Sequence, residues 1–144
     1  MGNMLQIEFE KGGKFDATLL ENEAPKTCGV IWNSLPLHIQ FYHSIVSGRA
    51  LVSLPKGLNV EPENQSVMGI PPGAITFLVR DPPRLVPDEI YIVYGIFVSR
   101  GLTLNNYQPV NYFAQIETGL DKLKEVGQRV LMQGAENVTF TKKS

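Results

Sequence analysis

Leu5, Ile7 and Phe9 alternate with Gln6, Glu8 and Glu10, and after Lys11, Gly12, Gly13 and Lys14 an extended run resumes from Phe15 to Leu20. Alternation at period two with a Gly-Gly break predicts a β-hairpin. The rhythm then changes. Between Asn22 and Leu35 the apolar residues Ala24, Cys28, Ile31, Trp32 and Leu35 fall on one stripe of a helix, Pro25 suits a first turn, and Pro36 ends it. Two further β-type runs, Ile39 to Val46 and Arg49 to Leu54, flank Ser47 and Gly48, which predicts a second hairpin with a tight turn. Pro55 to Gly73 shifts to Pro, Gly, Asn and Glu and reads as a long surface connection with at most one short strand near Gln65 to Met68.

Strands resume at Ala74 to Arg80 and Glu89 to Val98, separated by a proline-rich stretch, and Gly101 to Pro109 is another loop. Val110 to Ile116 reads as a strand. A second helix follows, with Thr118 placed to cap it, Asp121 at its positive end, Leu120, Leu123, Val130 and Leu131 as its apolar positions and Gly134 as its stop. The last strand is Asn137 to Thr141. This order predicts a mainly β protein, a closed barrel of about eight strands whose open ends are covered by two capping α-helices. With 144 residues, 43% of them hydrophobic, and no repeat or long linker, residues 1–144 form a single domain.

Charge narrows the function classes. Thirteen Lys and Arg against fourteen Asp and Glu leave a net charge of −1, so there is no overall pull toward nucleic acid or anionic lipid. No apolar run approaches the roughly 18 residues of a membrane span, and no basic segment leads into an apolar one at the N-terminus. The expectation is a cytoplasmic protein with no nucleic-acid or membrane partner. A single cysteine, Cys28, makes no internal disulfide, and two histidines do not supply a zinc spacing, so neither a metal nor another cofactor is expected.

Four landmarks then fall in order: Ala24-Pro25-Lys26-Thr27 at the first helix, Tyr42-His43-Ser44-Ile45-Val46 in the second hairpin, Pro72-Gly73-Ala74-Ile75 at a strand start, and Phe113 to Gly119 before the last helix. In this the chain resembles cyclophilins over nearly its whole length. It is more similar still to uncharacterised bacterial and archaeal cyclophilin-like proteins of unknown function, with which it shares the helix start and a strand running from Glu89 and Ile90 to Tyr94 and Gly95. The resemblance implies a cyclophilin-like barrel with a groove on its wall. It also implies a rewritten groove. The arginine that follows the histidine in cyclophilins, and that stabilises a twisted X-Pro amide, corresponds to Ser44 here. The groove's phenylalanine, methionine and glutamine correspond to Arg49, Ala50 and Val52, and a later glutamine and phenylalanine to Glu89 and Tyr91. The tryptophan-bearing loop is replaced by Gly101 to Pro109. Ordinary prolyl isomerase activity is therefore disfavoured.

On the same correspondence Arg49 points into the groove, where it would pair with Glu89 or grip an anion, although a surface arginine after a turn is the plainer reading. Arg80, Asp81 and Arg84 stand where a strand runs into a loop, a place for binding residues or for solubilising charge. His43 has the chemistry of a general base, yet a lone strand histidine with no nucleophile or metal set beside it is more often a hydrogen-bonded structural residue. Ser44 and Ser47 have no nucleophile-elbow context. Cys28 and Trp32 share the inward stripe of the first helix and read as packing residues. The reading reached from sequence is a domain that binds a small molecule or short peptide in a groove lined by Arg49, Glu89, Tyr91 and Arg80, with Ser44 and His43 nearby. Two alternatives stand beside it: a divergent peptidyl-prolyl isomerase using Arg49, and a homo-oligomeric interaction module built on exposed aromatic strands.

Overall fold

In the computed structural model, which describes residues 2–80, 86–100 and 106–143, every paired strand is antiparallel. The elements in chain order are β1 (Met4–Phe9), β2 (Lys14–Leu19), α1 (Pro25–Ser34), β3 (Leu37–His43), β4 (Gly48–Ser53), β5 (Ala74–Leu78), β6 (Glu89–Phe97), β7 (Asn111–Ile116), α2 (Leu120–Gln133) and β8 (Glu136–Lys142). The strands close in the order β1-β2-β7-β5-β6-β4-β3-β8, an eight-stranded barrel with two helices. This is the architecture that the alternation predicted.

Period two decides what each strand buries. Leu5, Ile7 and Phe9 of β1, Phe41 of β3, Ile75 and Phe77 of β5, and Val138 and Phe140 of β8 fill the barrel interior. β6 is buried on both faces: Ile90, Ile92 and Tyr94 point inward, while Tyr91, Val93 and Phe97 join Ala50, Ile70, Ala74, Leu78 and Val110 in a second apolar cluster outside the wall. A strand covered on both sides reads as a continuous apolar run, which is why β5 is Ala-Ile-Thr-Phe-Leu with no exposed residue.

Pro25 opens α1 and Thr27, Cys28 and Ile31 are its buried residues. Its N-terminal N–H groups have no local side-chain cap. They are satisfied from afar by Glu63, which accepts from the backbone N–H groups of Lys26 and Thr27, both at 2.8 Å, and from the Thr27 hydroxyl at 2.5 Å. Asn111 locks that carboxylate's segment to β7 by accepting from the Glu63 N–H at 2.8 Å and donating to the Glu61 carbonyl at 2.8 Å. The connection between β4 and β5, with its bridge from Ser66 to Val110, is thus fastened over α1 and β7.

The second helix corrects two sequence readings. Thr118 does not cap α2; the N-cap position is Gly119 in the left-handed region, φ 75°, and no side chain caps there. Of its predicted apolar positions Leu123 and Val130 are buried, whereas Leu120 and Leu131 are exposed and Val126 and Gly127 complete the inward face. Gly134 ends the helix as predicted. Just beyond it the fully buried Glu136 accepts from Arg129 Nε at 2.6 Å and Nη2 at 2.7 Å, and Arg129 also donates to the Gly12 carbonyl at 2.8 Å. One guanidinium therefore ties α2, β8 and the β1–β2 turn together.

The β3–β4 hairpin is also looser than predicted. Tyr42 lies opposite Val52 and His43 opposite Leu51, and the connection is the four residues from Ser44 to Ser47 rather than a two-residue Ser47-Gly48 turn. The Ser44 Oγ accepts from the Ser47 N–H at 3.1 Å, a side-chain turn that replaces the expected backbone one. No helix of the described residues is long and apolar enough to cross a membrane.

Candidate functional site

A cavity of about 680 Å³ opens where the β3–β4 hairpin meets the outer face of β6 and the C-terminal end of α2. Its floor follows from register. Val52 is paired with Tyr42 on one side and Tyr91 on the other, so three side chains lie in one row across β3, β4 and β6. With neighbouring strands about 4.8 Å apart, that row spans about 10 Å. Leu54, Ile45 and Val86 extend the apolar surface, and Val130, Gly134 and Ala135 bring in the end of α2.

The polar groups of the lining are gathered into one chain. Arg80 Nη2 donates to Glu89 Oε2 at 3.1 Å, its Nη1 donates to Gln108 Oε1 at 2.9 Å, and its Nε donates to the Pro87 carbonyl at 3.2 Å. Tyr91 donates its hydroxyl to Glu89 Oε1 at 2.5 Å. Glu89 and Tyr91 are two apart on β6, so both reach the same face. Burial first, then the charge and hydrogen bond of Glu89, push the Tyr91 phenol well above its ordinary value, against smaller opposing effects of Ser47 and Arg80. The phenol therefore stays protonated at neutral pH and remains a donor to Glu89.

At the hairpin, His43 stands between two partners. Its Nδ1 lies 2.8 Å from the Ser44 carbonyl and its Nε2 2.7 Å from the Tyr94 hydroxyl. A carbonyl only accepts, so Nδ1 donates to the Ser44 carbonyl, while Nε2 meets the Tyr94 hydroxyl. The two rings meet edge to face at 5.7 Å. An imidazole with both nitrogens engaged is a structural brace, and the Ser44 Oγ serves the turn by accepting from the Ser47 N–H.

The structure brings five of the six sequence-derived candidates, Arg80, Glu89, Tyr91, His43 and Ser44, to this one cavity. Arg49 is the correction. It is exposed, does not line the cavity and lies against Gly95, where a Cβ would come within 2.8 Å of Arg49 Cδ. The irregular register between Gly48 and Ala50 and the alternation along β4 account for this: Ala50 and Val52 take the outer face, and Arg49, one position before Ala50, is turned away from it. Glu89 is paired with Arg80 instead. Asp81 and Arg84 lie outside the described residues, as do residues 101–105. Sequence reasoning passed over Gln108 and Arg100, which also line the cavity, as does Ser47, which it had weighed only as a nucleophile; nothing local marks Gln108, because its partner Arg80 is 28 positions away. The segment from Pro55 to Gly73 contributes nothing to the lining and is not a cover for this cavity.

Elsewhere, burial first and then the charges of Glu21 and Glu63 push the Cys28 thiol up to about 12, so it is a packing residue rather than a nucleophile. Trp32 is half-buried against the core, with Lys142 Nζ 4.9 Å from its ring centre. Among the described residues no three His, Cys, Asp or Glu side chains gather as a metal site.

The fold and this cavity together define a closed antiparallel barrel protein with a polar cluster set into an apolar hollow on its wall. A model of the family described as a protein of unknown function, DUF3830, matches residues 7–142, and the chain belongs to that family. No curated protein matches it. Among solved structures it is similar to McbB in complex with tryptophan, at 20% identity and a TM-score of 0.75, over 97% of this chain and 45% of that one. It is also similar to the solution structure of the hypothetical protein AF2241 from Archaeoglobus fulgidus, at 19% identity and a TM-score of 0.65, over 99% of this chain and 95% of the other. The chain thus spans less than half of the McbB chain, and at these identities the likeness is one of fold.

Proposed function

We propose that this DUF3830 protein binds a small molecule with a flat apolar body and a hydrogen-bonding end group in the cavity beside β4 and β6. The observation that carries this reading is the placement of the Arg80–Glu89–Tyr91 cluster in the wall of an otherwise apolar hollow. Small-molecule sites have this composition, an apolar lining with a few converging polar groups. An ion pair with both side chains less than one-fifth exposed is a weak source of stability, because desolvation offsets most of its attraction. Its presence is better accounted for by a ligand that it orients. The floor of Tyr42, Val52 and Tyr91 matches a plate about two fused rings wide.

The cavity gathers the residues that the resemblance to cyclophilins assigned to a groove, Arg49 excepted, but without the chemistry expected of that groove. Ser44 holds no charge, and Arg49, the residue on which a divergent isomerase would rely, faces away. The same reading accordingly excludes ordinary prolyl isomerase activity. A short extended peptide remains the competing occupant.

A thermal-shift titration against planar aromatic compounds, with tryptophan included because it is the ligand in the McbB structure, tests the reading. A ligand at a hundred times its Kd adds about 2.7 kcal/mol of stability. The expected outcome is a concentration-dependent rise in melting temperature for at least one such compound, beside an unaccelerated proline-peptide isomerisation. Acceleration of that peptide with no shift from any aromatic compound would overturn it.

A further inference from the structure

We propose that the ligand carries an ammonium or other cationic N–H group, and that Glu89 receives it. The inference rests on the reading that this cavity holds a small molecule, and adds the charge and polarity of its end group. A carboxylate offers about four lone-pair directions. Glu89 uses one on each oxygen, Oε2 for Arg80 and Oε1 for Tyr91, which leaves one acceptor position on each oxygen of a side chain that lines the cavity and is 17% exposed. Tyr91 does not compete as a donor to the ligand, because its proton is already committed to the carboxylate. Gln108 Oε1 also accepts from Arg80, and as a neutral amide oxygen it is a weaker acceptor for a cation than the carboxylate. Glu89 therefore stands at the wall as an oriented acceptor, fixed by Arg80 on one side and Tyr91 on the other.

The neighbouring surface suits the same group. Tyr91 holds its hydroxyl on the same carboxylate and forms part of the floor, and Tyr42 lies one strand beyond Val52, so the flat body of the ligand has an aromatic floor next to the group that Glu89 receives. A carboxylate end group seated on Glu89 would meet its charge at contact distance, while the Arg80 cation at the same wall is turned to Glu89, Gln108 and the Pro87 carbonyl. Arg100, the other charged residue of the described lining, has its guanidinium 5.8 Å from the Tyr107 ring centre and leaves room for a second, anionic substituent on the ligand without requiring one. Arg80 and Tyr91 are positioning residues here; Glu89 is the contact.

The test is calorimetric titration of the whole chain with two probes that share one ring system, tryptamine, which has an ammonium and no carboxylate, and indole-3-propionate, which has the reverse. The expected result is that tryptamine binds at least tenfold more tightly, the equivalent of one charge-assisted hydrogen bond. Glu89→Gln should erase that preference, weakening tryptamine and, with the opposing charge removed, tightening the acid, and Val52→Trp, which fills the floor, should abolish both. Equal affinities in the wild type, or a preference for the acid, would overturn the ammonium assignment and leave the cavity reading standing. If neither probe binds, both fall. Should Glu89→Gln not fold, the preference of the wild type between the two probes decides the matter alone.

Discussion

The same substitution, glycine to alanine in the middle of a helix, should have opposite effects at two places in this barrel. Removing a mid-helix glycine stabilises a helix by about 1 kcal/mol when the new methyl group meets nothing. Gly29 of α1 satisfies that condition, since a Cβ there has no atom within 4 Å. At Gly127 of α2 the Cβ would lie 2.4 Å from both Cδ1 and Cε1 of Tyr94. That ring cannot simply retreat, because it is buried in the barrel and its hydroxyl is fixed 2.7 Å from His43 Nε2. Overpacking costs about 1–3 kcal/mol, and a broken Tyr94–His43 bond adds about 1 kcal/mol. Setting the helix gain against these gives a net loss of about 2 kcal/mol for Gly127→Ala and a gain of about 1 kcal/mol for Gly29→Ala. At about 3 °C per kcal/mol, the melting temperatures should move down by about 6 °C and up by about 3 °C respectively. Thermal and urea unfolding followed by circular dichroism measure the temperature shifts and the free energies. In a Tyr94→Leu background the Gly127→Ala penalty should shrink below about 0.5 kcal/mol, since the clashing atoms are gone. A Gly127→Ala protein as stable as the wild type, or an undiminished penalty in the Tyr94→Leu background, would refute the reasoning.

Two other predictions concern groups that hold the helices in place. Arg129→Met should lower stability by about 3–5 kcal/mol, because it leaves the fully buried Glu136 carboxylate without its partner, whereas replacing both residues by apolar ones should recover most of the loss; the midpoint of urea unfolding reads both. For Glu63, burial alone would raise the carboxyl pKa, but its bonds from Thr27 and Lys26 outweigh burial and hold it below the ordinary 4.5. A folded-state pKa depressed below the unfolded one gives stability that is present above about pH 4.5 and is lost as the pH falls through the folded value. Glu63→Gln should cost about 1 kcal/mol at pH 7, the worth of a helix cap, and should flatten the loss on acidification. Unfolding midpoints at pH 7 and pH 3.5 that fall in parallel for the two proteins would contradict the assignment.

The elements were largely legible in the sequence because each carries a local signal. The alternation of Leu5, Ile7 and Phe9, the Gly12-Gly13 break, the proline at Pro25 and the stop at Gly134 all act within a few residues, and all appear in the fold where their local chemistry places them. The errors lie where two remote parts of the chain compete for one position. Thr118 has the right side chain for a cap, but the chain enters α2 through Gly119 in a left-handed conformation. Leu131 is as apolar as Val126, but α2 turns Val126 toward the barrel. The cap of α1 could not be read at all, because Glu63 reaches it from 36 positions away.

The site divides in the same way. Glu89 and Tyr91 announce a shared face by their spacing alone, and the resemblance around His43 and Ser44 located the hairpin that joins them. Which arginine meets Glu89 was not legible. Arg49 and Arg80 have identical chemistry; the alternation and irregular register of β4 turn Arg49 away, and the pairing of Leu78 with Glu89 brings Arg80, two residues on, to the carboxylate. What the sequence by itself determined is the set of strands and helices and the barrel they close, since hydrophobic period and turn residues are properties of neighbours along the chain. What only the tertiary structure decided is which charges share the cavity, because strand register is a sum over many cross-strand contacts, and a shift of one position turns every side chain to the opposite face.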